Sequence, residues 1–120
     1  NGTIIGKFGM QTNSKLNTVT ENIGIDIKTV KSSPVRTVLD GIVVGVNYIA
    51  GYGKLVIIDH GGEYYTVYAN LDNINVNEDD YVSTNTQIAT TAKSEVNYKL
   101  NFQVLNKNEH LNPEIWLKKK

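Results

Sequence analysis

The run Gly53-Lys54-Leu55-Val56-Ile57-Ile58-Asp59-His60-Gly61-Gly62-Glu63-Tyr64-Tyr65-Thr66-Val67-Tyr68-Ala69-Asn70-Leu71 decides the fold class. Two stretches rich in β-branched and aromatic residues flank His60-Gly61-Gly62. Such residues suit a pleated, half-buried backbone, and adjacent glycines supply the positive φ angles of a tight reversal. The run reads as a β-hairpin with strands over residues 54–59 and 64–71. Outward from it, alternation with a period of two recurs over residues 3–7, 22–28, 35–40, 42–49, 86–90 and 99–105. No helical periodicity of useful length competes with it. Ser32-Ser33-Pro34, Gly51-Tyr52-Gly53 and Asn77-Glu78-Asp79-Asp80 carry turn chemistry between the runs. Only residues 113–117 permit a turn of helix. The expected fold is all-β, an antiparallel sheet structure with short connections.

Composition narrows the function. The 120 residues suit one domain, 1–120, with room for a core. Lys plus Arg and Asp plus Glu number 12 each, so no global field draws nucleic acid or anionic lipid, and Lys118-Lys119-Lys120 reads as a solvated tail. Cysteine is absent, which removes disulfides, thiolate nucleophiles and Cys-based zinc sites. No apolar run approaches the roughly 18 residues of a membrane span. The chain opens directly on a strand-like segment, as expected of the C-terminal part of a longer protein.

Alternation also sorts side chains onto faces. Ile23, Ile25 and Ile27 share one face, and Asn22, Gly24 and Asp26 the other. Tyr65, Val67, Ala69 and Leu71 are expected in the core, with Tyr64, Thr66, Tyr68 and Asn70 turned away. Leu100, Phe102 and Val104 point inward, leaving Lys99, Asn101 and Gln103 outside. If the polar stripes line one groove, it holds Asn22, Asp26, Tyr68, Asn70, Lys99 and Asn101.

The residues show no catalytic apparatus by themselves. His60, entering a glycine turn, reads as a structural imidazole, and His110 as a surface histidine. The two do not stand together, so a His-based zinc site lacks ligands. Asp79-Asp80 reads as a solvated turn. Gly51-Tyr52-Gly53 lacks the helix and Lys-Ser/Thr of a phosphate loop.

Read in order, the segments resemble the lysostaphin/LytM-type zinc peptidase domain over nearly the whole chain. Phe8-Gly9, Asn22-Ile23-Gly24-Ile25-Asp26, Pro34-Val35 with Asp40-Gly41-Ile42-Val43, residues 51–61, Tyr68-Ala69-Asn70-Leu71, residues 99–104 and Asn112-Pro113 carry the resemblance. It implies an antiparallel β-sheet sandwich of the LytM/lysostaphin (duplicated hybrid motif) type. In that family zinc is held by a His-x-Gly-x-Asp motif and the second histidine of His-x-His, positions that fall here on Asn22, Asp26 and Asn101. The two catalytic histidines correspond to Asn70 and Lys99. Asparagine is a weak neutral donor for zinc and has no useful proton affinity near neutral pH, and an ammonium at Lys99 occupies the place of a cation. No hydrolysis, no metal and no cofactor are therefore expected. A buried Asp26 without a metal needs a partner, and Lys99 is expected to pair with it. The glycine-rich loop that precedes the family's last motif is also missing from residues 90–98.

Within the family, the ending Asn112-Pro113-Glu114-Ile115-Trp116-Leu117 is similar to that of the EnvC-type murein hydrolase activators. The resemblance implies a periplasmic, cell-envelope domain that binds and activates an N-acetylmuramoyl-L-alanine amidase during daughter-cell separation. It also implies an indirect link to a membrane division complex through a coiled-coil arm outside this sequence. The expected partner-binding groove is Asn22, Asp26, Tyr64, Tyr68, Asn70, Lys99 and Asn101. The rival readings are a non-catalytic peptidoglycan-binding module and a scaffold subunit for an active paralogue.

Overall fold

The computed structural model describes residues 3–6, 9–13, 18–22, 24–29, 32–94, 97–107 and 109–114. The strands among them are β1 (Thr3–Gly6), β2 (Gly9–Asn13), β3 (Thr18–Asn22), β4 (Ile25–Thr29), β5 (Pro34–Arg36), β6 (Gly41–Ile49), β7 (Gly53–Gly61), β8 (Tyr64–Ile74), β9 (Tyr81–Val82), β10 (Gln87–Ser94), β11 (Asn97–Asn106) and β12 (Glu109–Leu111). Ten form one antiparallel sheet in the order β1-β4-β11-β10-β8-β7-β6-β9, with β12 added to β11 and β5 to β10; β2 and β3 form a separate hairpin.

The β7–β8 hairpin forms where the sequence placed it. Gly62 and Glu63 both take positive φ, 62° and 66°, as a two-residue type I′ reversal requires. Its strands pair from Lys54↔Leu71 to Gly61↔Tyr64. Beyond it the sheet forks. One edge of β11 pairs with β10 at Lys99↔Ala92, then passes to β8 from Asn101↔Ala69 onward. The other edge pairs with β4 and then β12.

The main core lies on one face of this curled sheet. Ile25, Val43, Val56, Ile58, Tyr68, Leu71, Ile88, Phe102 and Val104 are buried there. Tyr68 and Phe102 meet as tilted rings with centroids 5.3 Å apart. Leu55, Val67 and Ala69 form a smaller buried cluster with Ile57 and Leu105 packed against it. Residues 65, 67 and 69 and residues 66 and 68 alternate sides, so both faces of β8 are covered. This corrects the expected one-sided strand: Thr66 and Tyr68 are 0% and 1% exposed, deeper than any solvent-facing stripe allows. Leu71 joins Tyr68 in the main core because the ladder register shifts beside Asn70, which sits at φ 65°. One residue out of step inverts the parity of the residues after it.

Three other expectations change. Residues 22–28 are not one strand: Asn22 ends β3 opposite Gly9, and the chain bends at Gly24 before β4 begins. A Cβ on Gly24 would lie 2.4 Å from the Phe102 carbonyl oxygen and 2.6 Å from Gln103 Cγ, so the backbone rests directly on β11. The strand expected over 35–40 stops at Arg36, because Thr37 exchanges backbone bonds with Thr86 and Asn85 and its hydroxyl donates to Leu39 O. The strands β2, β3, β9 and β12 were not anticipated. Asp79-Asp80 is the exposed turn expected of it, and it also docks on β6 through Asp79 N–H to Val43 O and Val43 N–H to Asp80 O. The helical turn expected over 113–117 reaches the described residues only at Pro113 and Glu114, where Asn112 Oδ1 accepts the Glu114 N–H. Trp116 and Leu117 lie outside the described residues.

Candidate functional site

Strands β4 and β11 build the site. Their register sets Asp26 opposite Asn101 and Lys28 opposite Lys99, and alternation puts these four residues and Gln103 on the face away from the main core. Gln103 Nε2 donates to Asn101 Oδ1 at 2.8 Å, and Asn101 Nδ2 donates to Asp26 Oδ1 at 3.0 Å. Lys99 Nζ lies 3.9 Å from Asp26 Oδ2, with the two side chains 32% and 24% exposed. The structure thus brings Asp26, Lys99 and Asn101 together, and the expected Asp26–Lys99 ion pair is present as a loose one. Asn101 and Gln103, expected outside, are buried at 8% and 6% exposure. Gln103 was read as a plain outward residue; the signal that it belongs here is the polar period Lys99, Asn101, Gln103 on one strand. Lys28 was missed because it follows the apolar part of its strand.

The remaining expected residues do not join this cluster as groove lining. Tyr68 is in the main core. Its hydroxyl accepts the Val38 N–H at 3.1 Å and the Thr66 hydroxyl at 3.0 Å, and burial pushes its pKa above the ordinary 10.0. Tyr64 pairs with Asn106, five positions along β8 from the partner of Asn101, which is about 17 Å away at strand rise. Asn70 stands at the fork. Its Nδ2 donates to Ala92 O at 2.9 Å and to Lys99 O at 2.7 Å, and its backbone N–H donates to Tyr52 O at 2.8 Å. Its amide hydrogens are committed to holding β10 and β11 against β8. The backbone of Asn22 lies in β3, and its side chain lies outside what the structure describes.

His60 is structural, as expected, through partners the sequence did not indicate. Nδ1 lies 2.7 Å from the Asp40 carbonyl oxygen, which can only accept, so Nδ1 carries a hydrogen. Nε2 lies 2.7 Å from Thr66 Oγ1, extending the buried hydroxyl chain to Tyr68. His110 pairs with Leu105 in the β11–β12 ladder. The Asp40 carboxylate accepts the side-chain and backbone donors of Thr84 at 2.8 and 2.6 Å, which hold its pKa below the ordinary 3.8. A hollow of about 360 Å³, widely open, lies here between Asp40, Ile42, Asp59, His60 and Tyr81. It lies away from the Asp26 cluster, and Asp40, Asp59 and His60 already serve local bonds.

Residues 20–113 match the model of peptidase family M23. The chain belongs to peptidase family M23. It is 34% identical over 98 residues to the murein hydrolase activator NlpD of Escherichia coli K12, covering 80% of this chain and 26% of that protein. It is 36% identical over 85 residues to the uncharacterized lipoprotein YgeR of the same organism, covering 69% of this chain and 34% of that one. A zinc-containing peptidase from Vibrio cholerae superposes with a TM-score of 0.82 at 26% identity, covering 92% of this chain and 35% of that chain. The chain spans roughly a quarter to a third of the length of these relatives. The all-β antiparallel fold is thus the LytM/lysostaphin type implied by the sequence.

The M23 zinc does not fit the donor set described at this site. Asn101 gives its N–H to Asp26 and its oxygen to Gln103, so it turns no free lone pair toward Asp26. Lys99 brings an ammonium to the second Asp26 oxygen. Among the described residues, no three His, Cys, Asp or Glu side chains gather as metal ligands. No described buried side-chain polar atom lacks a partner.

Proposed function

We propose that this M23 domain is non-catalytic, and that it binds and activates a peptidoglycan amidase, an N-acetylmuramoyl-L-alanine amidase, in cell-wall remodelling and daughter-cell separation. The observation that carries the reading is the closed Gln103–Asn101–Asp26 network with Lys99 beside it. It supplies Asp26 with a hydrogen-bond donor and a cation from the chain itself, where a hydrolase of this family would need imidazoles, a metal and an activated water. The likeness to a protein named as a murein hydrolase activator supports the activator role. The similarity to a protein named as a lipoprotein supports a place in the cell envelope, on the periplasmic side. Activation then follows from differential binding: Asp26, Lys99 and Asn101 hold a segment of the amidase that blocks its active site, and the enzyme shifts to its open state. No cofactor enters this scheme.

Dye release from purified murein tests it. The domain alone, with or without zinc, is expected to release nothing, and to accelerate release by the amidase of the same genome. Hydrolysis by the domain alone would sink the reading. Silence in the mixture would favour a peptidoglycan-binding or scaffold role, which direct binding to murein sacculi then separates.

A further inference from the structure

We propose that Lys28 and Lys99 together receive a carboxylate, and that this carboxylate is an aspartate or glutamate side chain of the partner's bound segment. The proposal rests on the activator reading and adds the chemistry of what the site takes in. Lys28 and Lys99 are direct cross-strand partners in the β4–β11 ladder. Side chains so placed have Cβ atoms about 4.5–5.5 Å apart, and like charges there oppose each other. Asp26, diagonal to Lys99, cannot neutralise both. One of its oxygens takes the Asn101 amide, the other lies 3.9 Å from Lys99, and this is the one ion pair among the described residues. Lys28 is exposed and outside that pair.

Among the described residues, the strands beside β4 and β11 set no second anion opposite these lysines. Thr3 of β1 stands opposite Lys28, Ala92 of β10 opposite Lys99, and Ala69 of β8 opposite Asn101. Among the described residues, two ammoniums against one carboxylate leave one positive charge unmatched on this face. An incoming carboxylate bridging the lysines removes the opposition that the unliganded sheet carries.

The occupant is a polypeptide side chain because the amidase segment of the activator reading is a polypeptide, and an acidic residue of it complements the unmatched lysine charge. Asn101 and Gln103, farther along the same side of β11, are buried at 8% and 6% exposure, so the contact is confined to the exposed Lys28 end of the ladder.

Titration of the whole chain with the amidase of the same genome, at low and at moderate salt, tests this. Lys28→Gln and Lys99→Gln are each expected to weaken binding about 3- to 10-fold and to flatten its salt dependence, and Lys28→Glu to weaken it further. Wild-type affinity and salt dependence in Lys28→Gln would overturn the proposal. Lys28-dependent binding of murein stem peptides, without amidase binding, would move the carboxylate to the wall and overturn its assignment to a protein. If the unsubstituted chain binds no amidase, the activator reading fails, and thermal unfolding then decides the lysine pair separately. Lys28→Gln is expected to raise the Tm of the chain alone by about 1–4 °C at low salt. A Tm that is unchanged or lower would remove the opposed pair from which the receptor was inferred.

Discussion

Asn70 combines a left-handed backbone at φ 65° with an amide that donates to two carbonyls on two different strands. Asparagine tolerates that backbone better than most residues, and its amide nitrogen alone supplies both hydrogens. The sequence set Asn70 among groove residues because alternation placed it on a polar stripe, yet its donors serve the fork in the sheet. Asn70→Asp exchanges two donors for a carboxylate facing two carbonyl oxygens and is expected to destabilise by about 2–4 kcal/mol; Asn70→Gly keeps the backbone and is expected to lose about 1–2 kcal/mol. Chemical denaturation distinguishes the two, and a neutral Asn70→Asp would contradict the role. Asp26, Lys99 and Asn101 were legible as a group because period-two alternation and the family spacing both pointed to them. The direction of the Asn101 amide was not, since it depends on Gln103 behind it and Asp26 across the ladder.

At the scale of elements, hairpins were the most legible feature, because a hairpin's instructions are local. Gly61-Gly62 announced the β7–β8 reversal, and the structure completes the turn with Glu63 at φ 66°, a conformation that a side chain with a Cβ resists. Replacing it with asparagine, as Glu63→Asn, is expected to raise stability by about 0.5–1 kcal/mol, read as an increase in denaturation midpoint at constant slope. A decrease would mean that Glu63 has a compensating contact. The short strands β9 and β12, two and three residues long, have no alternation to detect. The expected strand over 22–28 failed because the bend at Gly24 is imposed by β11, nearly eighty positions away in sequence at Phe102 and Gln103. Tyr68 failed for a related reason: alternation separates two faces but does not say which is buried, and here both are.

Across the whole molecule, ties between distant segments set the response to pH. Asp40, held below its ordinary pKa of 3.8 chiefly by the Thr84 donors, contributes stability that is fully present above that value and is lost as pH falls through the lower folded value. Asp40→Asn keeps an acceptor for Thr84 and removes the titration, so it is expected to flatten the acid limb of a plot of stability against pH; an unchanged limb would place acid sensitivity elsewhere. The sequence alone determined the all-β class, the main hairpin and the family, since each is written in local periodicity and in the spacing of short motifs. Only the tertiary structure decided that Tyr68 is core, that Asn70 holds a fork, that Tyr64 stands far from Asp26, and that Lys28 faces Lys99. Those outcomes depend on register and on which strand lies beside which, quantities fixed by long-range pairing and invisible to any window along the chain.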